Sequence, residues 1–126
     1  MPRPLSPHIQ IYRPQLTSVL SILHRITGAL LVLAGLGLVA FLWAAASGPD
    51  AYAAAQGAAG SWPGRVVLFV ATFAFFLHLC GGVRHLVWDS ARWLRLEDIY
   101  VSGWTVVLAS AVLTVIAWVV GVAALA

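Results

Sequence analysis

Three stretches of the chain run predominantly apolar, near residues 22 to 46, 66 to 88 and 103 to 125, and polar or turn-forming residues collect between them. Each is long enough to cross a hydrocarbon layer, which takes about 20 helical residues at about 1.5 Å of rise apiece. The runs are continuous and lack the period-2 alternation by which a barrel strand sorts lipid-facing from lumen-facing side chains. The pattern predicts an all-α integral membrane protein with three transmembrane helices, forming one membrane-anchor domain over residues 1 to 126.

Residues 1 to 21 are expected to form a cytoplasmic arm and the start of the first helix. Pro2, Pro4, Pro7 and Pro14 oppose an early helix start and favour an extended path along the surface. The first apolar run is expected to be retained, because it outlasts the roughly 7 to 15 apolar residues of a cleaved leader and AAASGPD at its far end is a weak cleavage pattern. The segment GPDAYAAAQGAAGSWPG after it is rich in alanine and glycine and has room for one short interfacial helix.

Composition agrees with a membrane setting: 62% of residues are apolar and 9% charged, outside the range of a soluble globular domain. The core must then come from helices packing on one another or on partner chains in lipid. Charge adds the orientation. Arg3, Arg13 and Arg25 flank the start of the first run, Arg84, Arg92 and Arg95 flank the end of the second, and Arg65 alone lies at the other side. Positive-inside bias puts the N-terminus and the loop 89 to 102 in the cytoplasm and the C-terminus outside. Trp88, Trp93, Tyr100 and Trp104 fit an inner aromatic belt, with Trp43, Tyr52 and Trp62 at the outer one. The formal charge of +3 is thus explained by topology and requires no nucleic-acid partner.

Candidate chemistry concentrates in HLCGGVRHLVWD, residues 78 to 89. At 100° per residue His78, Gly82, His85 and Asp89 share one stripe, with Arg84 about a third of a turn away. Ionisable groups inside a span are costly unless they face the protein interior, so an interior-facing function is the default expectation. Gly81 and Gly82 remove side chains nearby and admit a planar group or another helix. Neutral imidazole is a good axial haem ligand. Two readings of the histidines stay open, haem ligation and a packing role with a bond to a backbone carbonyl. Under the first, His78 and His85 cannot share one iron, since they lie about 10 Å apart along the same face. His78, about 15 Å from the cytoplasmic end of its helix, is preferred as the ligand; His85 is about one turn from that end.

The first run carries a matching polar set in TSVLSILHRITG, where Ser18, Ser21, Arg25 and Gly28 follow helical spacing and His24 borders them. Serine and arginine there are suited to donate to a quinone carbonyl, and His24 or Arg25 to pair with a haem propionate. The alternative is a serine bonded to its own i−4 carbonyl and an arginine anchoring the helix end. From helical rise, His24 is expected about 10 Å or more shallower than His78, too far to oppose it on one iron. A bis-histidine site would then need a histidine from a second membrane chain. Cys80, the single cysteine, excludes a C-x-x-C-H haem attachment, an iron–sulfur cluster and an internal disulfide within this chain. Asp50, Glu97 and Asp98 have no metal spacing, and Asp89 is positioned to pair with Arg84, Arg92 or a partner.

Taken together, the two motifs, His78 to Asp89 and RPLSPHIQIYRPQLTSVLSILHRITG, resemble those of the cytochrome b large anchor subunits of succinate dehydrogenase, respiratory complex II, over essentially the whole chain. Gly81 departs from the asparagine common in that family. The resemblance implies a multi-pass protein of the cell inner (cytoplasmic) membrane that binds haem b and helps to reduce ubiquinone. It implies a flavoprotein subunit that oxidises succinate, an iron–sulfur subunit that carries electrons, and a smaller membrane anchor supplying the second axial histidine. It implies His78 as axial ligand, Ser21 and Arg25 in the quinone pocket, and His24, Arg25 and His85 near the haem propionates; position along the helix separately sets Arg84 beside His85 at the cytoplasmic rim, within reach of propionates or a partner, the alternative for Arg84 being snorkelling to the headgroups. Two other classes compete with it: a haem-free structural anchor, and a small transport or channel subunit with a histidine proton relay.

Overall fold

The computed structural model describes residues 13–125, and these form helices without strands. The helices are α1 (Leu16–Ser47), α2 (Pro49–Gly60), α3 (Trp62–Asp89) and α4 (Leu96–Leu125). Three of them, α1, α3 and nearly all of α4, are long and apolar enough to cross a membrane. Of the arm expected over residues 1 to 21, residues 1–12, with His8, lie outside the described residues.

α1 begins directly after Pro14 and Gln15, six residues before the apolar run, because Thr17, Ser18 and Ser21 are compatible with helix although they depress the hydropathy. Its far end is set by Gly48, whose φ of +126° suits a residue without a side chain, followed by Pro49 at the first position of α2. Asp50 lies in the first turn of α2, where a carboxylate complements the helix dipole. This short helix occupies the connection between α1 and α3, where the composition left room for one. Ser61 then caps α3, its hydroxyl accepting from the Gly64 N–H at 3.2 Å, with Pro63 in the first turn. α3 ends in a tight connection in which Ala91 and Trp93 both have φ of +58°. α4 starts at Leu96, seven residues before the apolar run, with Glu97 and Asp98 in its first turn.

α3 is the central helix, packing most extensively against α4 and α1, while α1 and α4 touch over a shorter length. Where they touch, Gly103 admits Leu16 and Leu20: an added Cβ would lie 2.8 Å from Leu16 Cδ2. The α4 face in the bundle is small and polar, with Ser102, Ser110 and Thr114 buried, as membrane helix interfaces favour. Ser110 donates to the Val107 carbonyl at 2.9 Å and Thr114 to the Ser110 carbonyl at 2.7 Å, so neither hydroxyl is left unpaired in a dry interior. The outward faces are large and apolar, from Val32, Leu36 and Val39 on α1 to Val115 and Val119 on α4. Such a surface is suited to lipid or to another membrane chain.

Candidate functional site

α1 and α3 meet through two histidines. The rings of His24 and His78 stack with centroids 4.0 Å apart and planes within 4°. Each ring rests against a glycine of the opposite helix. A Cβ on Gly28 would lie 3.1 Å from His78 Cε1, and one on Gly81 would lie 2.9 Å from His24 Nδ1. The absence of side chains at these two positions is what lets the rings approach, and the Gly81–Gly82 pair is used mainly through Gly81.

His78 Nδ1 lies 3.1 Å from the His24 backbone carbonyl and 3.2 Å from Thr27 Oγ1. A carbonyl can only accept, so in the neutral ring Nδ1 carries the proton and donates it, and Nε2 keeps its lone pair. His85 continues the column, its centroid 5.0 Å from His24 and 5.4 Å from Trp88, edge-on to the latter. Arg84 lies over the Trp88 ring with its guanidinium carbon 3.9 Å from the centroid.

A cavity of about 340 Å³ opens beside this column, lined among others by Ser18, Ser21 and His24 of α1 and by Arg84, His85 and Trp88 of α3. Its size is at the lower end for small-molecule sites, about 300 to 1,000 Å³. No carboxylate lines it, whereas hydroxyl, imidazole, indole and guanidinium groups do. Such a wall suits a ligand that presents oxygen acceptors. Two buried nitrogens around it, His24 Nδ1 and Trp88 Nε1, have no hydrogen-bond partner among the described residues.

The geometry corrects three expectations. His24 is not 10 Å or more shallower than His78: α1 starts at Leu16, which sets His24 two turns inside its helix, level with its counterpart. The two still cannot flank one iron, because stacked rings present faces to each other and not opposing nitrogens. Arg84 does not lie at an open rim. It is 5% exposed, donating from Nε to Ser102 Oγ and from Nη2 to the Ile99 carbonyl, both at 2.9 Å. The early start of α4 brings those acceptors opposite it, and Asp89 is exposed and not among these partners. Arg25 is exposed and, although it follows Ser21 by one helical turn, is not among the residues lining the cavity.

Thr27, Trp88, Ser102 and the pairing of Gly28 with His78 were not singled out as parts of this site from sequence. Thr27 follows His24 by three residues, so helical spacing alone could have placed it on the same side. Ser102 carried no such signal, because its partner lies on another helix.

The chain is similar over most of its length to known proteins. The family described as succinate dehydrogenase/fumarate reductase transmembrane subunit matches residues 1–117. The succinate dehydrogenase cytochrome b556 subunit of Rickettsia bellii (strain RML369-C) is 37% identical over 117 residues, covering 93% of this chain and 91% of that protein. The cytochrome b556 subunit of Paracoccus denitrificans is 40% identical over 119 residues, 94% of this chain and 91% of its own length. The succinate dehydrogenase cytochrome b560 subunit of Reclinomonas americana is 35% identical over 123 residues, 94% of this chain and 85% of that protein.

Proposed function

The chain belongs to the succinate dehydrogenase/fumarate reductase transmembrane subunit family, and from that premise we propose that it is the haem b-binding membrane anchor of a succinate:ubiquinone oxidoreductase. The observation that carries this reading is the arrangement around His78. Its Nε2 makes no hydrogen bond among the described residues, its Nδ1 proton is engaged, and Gly28 leaves clearance beside its ring. A neutral, oriented imidazole with a free lone pair fits an axial ligand of haem b.

Haem b, when bound, supplies a one-electron relay between the soluble subunits and the quinone. The residues of this chain do the holding. His78 gives one ligand. The described residues contain no histidine able to oppose it, because His24 stacks on its face and His85 lies on its own helix. A second ligand would then be supplied by another membrane chain, the smaller anchor of the complex. His24, Arg25 and His85, with Arg84 behind them, form the cationic or donor side for propionates. The unpartnered His24 Nδ1 supports that role for its ring.

Ser21 on the cavity wall binds ubiquinone, its hydroxyl donating to a quinone carbonyl, with Arg25 adding positive charge from the same end of α1. Arginine bias puts this end in the cytoplasm, at the inner membrane, where an iron–sulfur subunit and its flavoprotein partner dock. The cavity then faces the incoming electrons, and quinol protons enter from the same side.

Two measurements on the purified complex test the reading. His78→Ala should abolish or convert the low-spin bis-histidine spectrum, whereas His85→Ala should leave the iron six-coordinate; an unchanged spectrum in assembled His78→Ala would refute the ligand. Ser21→Ala and Arg25→Ala should depress succinate-driven quinone reduction by at least about tenfold more than reduction of an artificial soluble acceptor. Equal losses in both assays would point to failed docking instead.

A further inference from the structure

We infer that Thr27 is a positioning residue for the axial histidine: together with the His24 carbonyl, its hydroxyl holds the proton of His78 on Nδ1 and leaves Nε2 as the atom that binds iron. The inference rests on the reading of His78 as the ligand and extends it to a residue that touches neither iron nor quinone.

Thr27 is 4% exposed, and its Oγ1 lies 2.8 Å from the Leu23 carbonyl, 3.0 Å from the His24 carbonyl and 3.2 Å from His78 Nδ1. A hydroxyl has one proton. The shortest contact, to Leu23 one turn back, takes it, as threonine in a membrane helix commonly arranges. The oxygen lone pairs then remain for His78. The second partner of Nδ1, the His24 carbonyl at 3.1 Å, has no proton to give. Both neighbours of Nδ1 are therefore acceptors, and the opposite tautomer would set a ring lone pair against oxygen lone pairs in a dry interior.

The same turn of α1 thus serves His78 twice. Gly28 admits the ring and Thr27 fixes which nitrogen is protonated. A ligating histidine whose other N–H is bonded is held in orientation and made a stronger donor, which favours the more highly charged iron. Losing the hydroxyl should weaken that donation and tilt the haem toward the ferrous form.

The test uses the assembled complex with Thr27→Val, which keeps the branched shape without the hydroxyl, and Thr27→Ser, which keeps the hydroxyl. Haem redox titration is read together with the low-spin magnetic spectrum. Thr27→Val should stay low-spin while its ferrous-to-ferric ratio at fixed potential rises by up to about tenfold, and Thr27→Ser should remain within about twofold of the parent. Loss of haem from the valine variant with retention in the serine variant also supports the inference. An unchanged ratio in Thr27→Val, equal shifts in both variants, or haem loss in both would overturn it. His78→Ala separates the two levels. If it loses the low-spin spectrum while Thr27→Val is unaltered, the ligand stands and Thr27 falls. If it keeps that spectrum, the ligand reading itself falls.

Discussion

Two missing side chains decide whether the paired histidines can sit where they do. Gly28 and Gly81 are occupied by opposing imidazoles at distances that leave little slack, whereas a Cβ on Gly35, on the same helix as Gly28, would meet nothing within 4 Å. Glycine to alanine raises helix propensity by up to about 1 kcal/mol at any of these positions, so the three substitutions separate propensity from packing. Gly35→Ala should leave the thermal midpoint of the complex unchanged or raise it. Gly28→Ala should lower haem content and destabilise by about 1 to 3 kcal/mol, the usual cost of overpacking, with Gly28→Val worse still. Thermal unfolding followed by haem absorbance checks all of these, and equal behaviour of the Gly28 and Gly35 variants would remove the packing argument. A second expectation at this scale concerns Arg84. Ser102→Ala leaves its Nε without a partner in a low-dielectric interior, which costs about 1 to 3 kcal/mol. Denaturant unfolding in detergent should register that loss, and Ser102→Thr should largely restore it.

Hydropathy located the spans but not the helices that contain them. The apolar runs mark the residues that tolerate lipid, and backbone helix continues beyond them wherever propensity and caps allow. α1 therefore takes in Thr17, Ser18 and Ser21, and α4 takes in Glu97, Asp98 and Ser102. Those added turns are the ones that matter for the site, because they set the level of His24 and bring Ile99 and Ser102 to Arg84. The stripe of His78 and His85, with its glycine clearance, was legible because both follow from residue spacing along one helix. The stacking of His24 on His78 was not, because it depends on how two antiparallel helices are aligned, which no pattern within either one encodes. A third expectation follows for the turn between α3 and α4. Ala91 and Trp93 hold positive φ without being glycine, at a cost of about 1 kcal/mol or more each. Ala91→Gly should be neutral or stabilising in the same unfolding assay, whereas Ala91→Val should destabilise.

At the scale of the molecule, no side chain in the central span of α1 is fully buried among the described residues, and Arg25 is exposed as well. On the proposed reading, in which His78 is the one histidine among the described residues placed to ligate iron, the chain expressed alone should yield apoprotein or poorly ligated haem. Co-expression with the smaller anchor should restore a low-spin spectrum, and a stable bis-histidine signature in the isolated chain would contradict the prediction. The two histidine–glycine contacts bear on how that partner is met. One contact between rods leaves them free to roll or slide about it. Two contacts, one donated by each rod and set about one helical turn apart, fix both rotation and registry, since a slip of one residue moves a side chain by about 1.5 Å and 100° and empties both seats. The pair therefore works as a key that indexes α1 against α3 before any partner arrives, and so determines which flank of the bundle is turned outward to receive one.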